Sequence, residues 1–165
     1  MPADIQPVVR VYADSSVYGG AFDEEFSGPS RRFFDQVRSG RFELVISPIV
    51  ADELTGAPAD VRSHFEEFLA LSGVSIVPVS AAAIRLQQAY LGAGIVAPRW
   101  ETDALHVAVA TVAACRIIVS WNFKHIVHFQ KIPQYVGVNL ASGYQPIGIH
   151  TPQEVVLDED QDKDI

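Results

Sequence analysis

The sequence predicts an α/β fold of three layers, a central, mostly parallel twisted sheet held between helices. Three observations predict it. Short runs rich in β-branched residues alternate along the chain with segments of helical period, the pattern of parallel strands joined by helical crossovers. The run Ile117-Ile118-Val119 is apolar throughout, as a strand buried on both faces must be. In the segment just before it, from Ala104 to Cys115, only His106 and Thr111 are polar, and a helix apolar on almost every side is a buried one.

Residues 1–7 read as a loose lead-in with two prolines. Val8 to Ala13 is the first strand, which delivers Asp14 at its carboxyl end. Gly19 and Gly20 loosen the chain, and Phe22 to Ser27 reads as an acidic loop. Pro29 to Ser39 is a helix with Phe33, Phe34 and Val37 inward and Arg31, Arg32 and Arg38 outward, stopped by Gly40. Leu44 to Ile46 is the second strand. Ser47-Pro48 then starts a helix to Leu54, with Ser47 as N-cap and proline where no N–H is missed. Gly56 closes that helix. Ala59 to Leu71 is the next, with Val61, Phe65, Phe68 and Leu69 on one stripe, stopped by Gly73.

Ser75 to Val79 is the third strand. Pro78 removes a ladder donor, which places this strand at the sheet edge. Ser80 caps a helix from Ala81 to Leu91, followed by a loop containing Gly92, Gly94 and Pro98. Thr102 caps the buried helix, and Ile117 to Val119 is the fourth strand, bounded by Ser120. Beyond Ile126 the pattern is irregular, with Val136 to Val138 and Ile147 to Ile149 as short strands. Right-handed crossovers bring the carboxyl ends of all these strands to one edge.

At 165 residues the chain reads as one domain over 1–150, followed by an acidic, disordered tail over 151–165. The formal net charge is −8, and about half of it comes from Asp158, Glu159, Asp160, Asp162 and Asp164. A broad basic surface for nucleic acid is excluded, but a local basic edge is not. The single Cys115 lies in the apolar segment and cannot form an internal disulfide. No run is long enough to span a bilayer, and the N-terminus lacks the apolar core of a secretory signal, so a cytoplasmic location is expected.

Three acids recur at matched positions. Asp14 ends the first strand, Glu53 sits in the helix after the second, and Asp103 lies in the first turn of the buried helix. Asn122 follows the fourth strand. Adjacent helical residues point about 100° apart, so only one of Asp52 and Glu53 can face such a site. Carboxylates sharing a cleft either take up protons or hold a cation, and an all-oxygen donor set selects Mg²⁺ or Mn²⁺. Such an ion supports hydrolysis of a phosphodiester. His106, one turn after Asp103, reads as a hydrogen-bonded, half-buried histidine rather than a ligand. Ser16 and Ser120 are candidates to touch substrate. Lys124 and Arg99, with Arg31, Arg32, His125, His128 and Lys131, are candidate phosphate contacts.

The segments V-Y-A-D-S-S, S-P-I-V-A-D-E-L, E-T-D-A-L-H-V-A-V-A and I-V-S-W-N-F-K-H-I resemble, in this order, the motifs of PIN-domain nucleases. They are most similar to the VapC-type toxin ribonucleases of toxin–antitoxin systems. The resemblance spans roughly residues 8 to 150 and implies a PIN-like fold. It implies an endoribonuclease with Mg²⁺ or Mn²⁺ on Asp14, Glu53 and Asp103, and favours Glu53 over Asp52. A cognate antitoxin, a homodimer and an RNA substrate are the implied partners. The fourth position, often Asp in that family, is Asn122 here, which adds no charge. The alternative is a PIN-like module that binds RNA or protein without cleaving.

Overall fold

Five strands form one wholly parallel sheet: β1 (Val9–Ala13), β2 (Phe42–Ile46), β3 (Ser75–Ile76), β4 (Ile117–Val119) and β5 (Gly148–His150), in the order β3-β2-β1-β4-β5. The structure is a computed structural model that describes residues 7–157. β1 is central: Val11 pairs with Leu44 on one side and Ile117 on the other. The chain runs outward from β1 through β2 to β3, then returns to the other side of β1 for β4 and β5. The order therefore reverses between β1 and β4, and in open α/β sheets the crevice at that reversal, beyond the carboxyl ends of the strands, is where ligands bind.

Helices flank the sheet in two groups. α1 (Ser15–Gly20), α2 (Ser27–Arg38), α3 (Pro48–Leu54) and α4 (Ala59–Leu69) pack with one another, and α8 (Pro152–Val155) joins them through α2. α5 (Ala81–Gly92), α6 (Glu101–Val112) and α7 (Ile132–Ala141) form the second group. The core runs through the sheet: Val11, Tyr12, Leu44, Val45, Ile118 and Val119 are fully buried. α6 is inaccessible from Val107 to Ala110, in keeping with its apolar composition. Among the described residues no helix is long and apolar enough to cross a membrane.

The structure departs from the sequence reading in six places. β3 ends at Ile76 rather than Val79, so Pro78 lies beyond the strand. Ser15–Gly20 is a helix, not a loosened segment. A Cβ on Gly20 would lie 2.8 Å from both Ser30 Oγ and Trp121 Nε1, so this glycine permits close packing rather than flexibility. Ser47 occupies the N-cap of α3 with extended backbone, but its hydroxyl makes no cap bond. Thr102 lies inside α6, because a 3₁₀ turn (Pro98–Trp100) leads directly into Glu101. Val136 to Val138 belong to α7, where Tyr135 and Asn139 are buried one turn apart; so short an apolar run does not distinguish strand from helix. Finally, residues 151–157 are ordered. Thr151 and Glu154 close a reciprocal capping box, and Arg41 donates to Val155 O at 2.7 Å. The acid-rich remainder of the expected tail, 158–165, lies outside the described residues.

α6 ends in a Schellman motif: Cys115 N–H bonds to Ala110 O and Ala114 N–H to Thr111 O. Ala114 takes the left-handed position at φ 60, where α2 uses Gly40 at φ 87. A Cβ there costs about 1–2 kcal/mol, partly offset by glycine's greater freedom when unfolded. Ala114→Gly is therefore expected to stabilise the chain by roughly 0.5–1 kcal/mol, read as a higher midpoint in urea unfolding. An unchanged or lower midpoint refutes the assignment of strain.

Candidate active site

Asp14 leaves β1 at the reversal point and is almost wholly buried, at 4% exposure. It caps α1 by accepting Ser16 N–H at 3.2 Å. Ser16 Oγ donates to Asp14 Oδ1, and Ser120 Oγ donates to Oδ2 at 2.7 Å. Each serine also accepts a backbone N–H: Trp121 N–H to Ser16 Oγ at 2.8 Å, and Asn122 N–H to Ser120 Oγ at 2.9 Å. The two serines thus tie the loops after β1 and β4 together through a single carboxylate. Burial pushes the Asp14 carboxyl above its ordinary value; His106 and the serines oppose that, and the Glu53 charge adds to it.

Glu53 is delivered by α3. Its Oε1 accepts Ser15 Oγ at 2.6 Å and meets His106 Nε2 at 2.5 Å. His106 is 1% exposed, and its Nδ1 meets the Tyr12 hydroxyl at 2.7 Å. That hydroxyl in turn meets Ser47 Oγ at 2.7 Å, which is why Ser47 does not cap its helix. One line of polar groups therefore runs Glu53–His106–Tyr12–Ser47 through an otherwise apolar interior. Burial works to raise the Glu53 carboxyl, but the His106 hydrogen bond and charge and the Ser15 hydroxyl outweigh it and hold the group below its usual value. Burial also keeps the Tyr12 phenol far from ionising. Two neighbouring carboxylates driven in opposite directions are a feature of chemical sites. Glu53 and Asp52 also border an open cleft of about 470 Å³, with Thr102 and Leu105 on its far wall.

Asp103 stands one turn before His106, on the same stripe of α6. It is part-buried, and its charge acts on His125 and Tyr135. Asn122 Oδ1 accepts His125 N–H at 3.0 Å and so caps the turn that follows. Lys124 and Arg99 are exposed, and their charges, with that of Lys131, converge on His125. The structure thus joins Asp14, Ser16, Ser120 and Asn122 by hydrogen bonds, and Glu53, Ser15 and His106 by others, the two sets acting on each other through charge. Asp103, Arg99 and Lys124 stand around His125. Sequence reasoning did not single out Tyr12, Ser15 or Ser47. The only signal for the buried line was the spacing of His106 from Asp103.

No family model matches the sequence, and no curated protein matches it. Solved structures do. VapBC2 from Rickettsia felis, bound to a DNA fragment from its promoter, matches with a TM-score of 0.56 and 16% identity, over 87% of this chain and 98% of that one. FitAcB from Neisseria gonorrhoeae matches with a TM-score of 0.51 and 12% identity, over 88% and 99%. The chain has a PIN-type fold. At such low identity the likeness carries the architecture alone, so the chemistry of the site rests on this chain's own residues.

Among the described residues no set of three or more His, Cys, Asp and Glu side chains is arranged to hold a metal ion. The donor chemistry present is a pair of acids, Asp14 and Glu53, within electrostatic reach of each other. Mg²⁺ commonly binds one or two carboxylates, keeps several waters and takes its remaining ligands from substrate phosphate. The pair fits an ion held in that way.

Proposed function

We propose that this chain is an Mg²⁺- or Mn²⁺-dependent endoribonuclease and the toxin of a toxin–antitoxin pair. One observation carries the reading. A buried carboxyl held above its ordinary value and a neighbouring carboxylate held below its own lie at the carboxyl edge of the sheet where the strand order reverses. Asp14 and Glu53 would hold the ion; Asp103, expected from the sequence as the third ligand, acts on His125 instead and, among the described residues, completes no three-acid set. When bound, the ion supplies charge stabilisation at the scissile phosphate and a water made more acidic. The chain's own groups do the rest. Ser16 and Ser120 fix both oxygens of Asp14, His106 and Ser15 aim Glu53, and Asn122 holds the β4 loop in register. Arg99 and Lys124 offer charge to RNA phosphates beside the acids. The likeness to VapBC2 and FitAcB supports an antitoxin that docks on this chain, and a homodimer is part of the proposal.

The test is incubation of the purified chain with mixed structured RNAs, with and without Mn²⁺. Cleavage that needs the ion and disappears on chelation is the expected result. Mn²⁺ uptake by calorimetry without any cleavage would convert the reading to a binding module, for which the uncharged Asn122 already gives a physical motive.

A further inference from the structure

Close to Asp103, on the turn capped by Asn122, the structure builds an aromatic ledge. The Trp100 and His125 rings are stacked, with centroids 4.5 Å apart and planes 25° apart. His125 is held on both sides of its peptide: its N–H donates to Asn122 Oδ1 at 3.0 Å, and its carbonyl accepts the Tyr135 hydroxyl at 2.8 Å. Trp100 remains 39% exposed, and the guanidinium of exposed Arg99 lies 5.1 Å from its ring centre. The charges of Arg99, Lys124 and Lys131 act on His125, and Asp103 is the acid that opposes them. A held π-surface with a guanidinium over it and further cations acting on it is an arrangement that single-stranded nucleic acid uses, with bases on the rings and phosphates on the cations.

We propose that Trp100, backed by His125, is the platform on which a base of single-stranded RNA stacks next to the bond to be cut, with Arg99 and Lys124 on the flanking phosphates. This rests on the ribonuclease reading and adds the substrate subsite to it. The Arg99 guanidinium marks the ring face that attracts a planar cation. A base entering there displaces it toward the adjoining phosphate. A duplex keeps its bases paired and cannot use the ledge, so the site discriminates for unpaired RNA. The stack is independent of sequence, because every base has a π-face.

The experiment uses the full chain carrying Asp14→Asn, so that RNA is bound and not cut, and follows the anisotropy of a labelled mixed-sequence single strand and of its duplex. Trp100→Ala is expected to weaken single-strand binding about tenfold or more with duplex binding unchanged, and Trp100→Phe to keep most of the affinity. Lys124→Gln is expected to lower the salt dependence, and Trp100→Ala to leave it alone. In a Trp121→Phe background Trp100 is the sole tryptophan, and the single strand is expected to quench its fluorescence. Equal single-strand affinity for Trp100→Ala and its parent, or no quenching, overturns the platform while the ribonuclease reading stands. If the parent binds no RNA but binds poly-glutamate through Trp100, both fall and the ledge is a protein dock.

Discussion

Asp14→Asn is expected to abolish metal-dependent RNA cleavage and, at the same time, to raise the melting temperature of the metal-free protein. Loss of a carboxylate ligand removes charge that holds the ion, and metal catalysis contributes several kcal/mol of transition-state stabilisation. At 1.36 kcal/mol per decade that is a fall of about a thousandfold. The stability gain has a separate origin. Burial raises the Asp14 carboxyl above its unfolded value. Between those two values the folded chain keeps a proton that the unfolded chain has released, so stability falls as pH rises through the window and stays lower above it. The amide carries no such charge; its oxygen can keep the Ser16 bonds while the Ser120 hydroxyl rotates to accept from its NH2. The variant is therefore expected to melt higher than the parent at neutral pH, with the gap closing in acid. Melting curves at several pH values check it. A variant less stable than the parent at neutral pH would show that the hydrogen bonds, not the buried charge, dominate.

His106→Ala is expected to act in the opposite direction on stability. It opens a cavity under α6, frees Glu53 and strips the Tyr12 hydroxyl of one partner. Large-to-small changes at buried polar sites cost about 2–4 kcal/mol, roughly 5–15 °C in a domain of this size. Part of that loss depends on pH. Glu53 is held below its usual value, largely by His106 against the pull of burial. Its contribution is present above the unfolded carboxyl value and disappears as pH falls through the depressed one. The difference between variant and parent is thus expected to narrow in acid, and His106→Gln, which can still donate to Glu53, to recover part of it. Calorimetric Mn²⁺ titration supplies a readout that packing alone does not move: the alanine variant is expected to bind the ion more weakly than the glutamine variant. Equal affinity for Mn²⁺ in both would remove His106 from the positioning of Glu53.

Much of this arrangement was legible before any coordinates. The alternation of apolar runs with helical stripes marks the parallel sheet, because it follows from residue type directly; the third strand is at the edge as expected, but it ends at Ile76, so Pro78 lies beyond it and is not the cause. The short α1 and α7 were not legible. The first depends on Gly20 fitting against Trp121 and Ser30, the second on burial of Tyr135 and Asn139, and both are facts of distant packing. At the site, Asp14 and Glu53 stand out by position. That Ser47 bonds Tyr12 rather than its own helix could not be read locally, since its partner lies on another strand. Likewise His106 looked half-buried from its neighbours in sequence, whereas the sheet above it closes it off.

The pairing of Val11 with Ile117 has a temporal consequence. A ribosome emits β1 long before its second neighbour, and distant pairings of this kind make folding slow. Until α6 and then β4 emerge, Glu53 lacks His106 and Asp14 lacks Ser120, although both acids have already been translated. A nascent or prematurely terminated chain therefore carries two of the acids without the crevice that joins them. On the proposed ribonuclease reading, cleavage would have to wait until β4 has emerged and paired with β1.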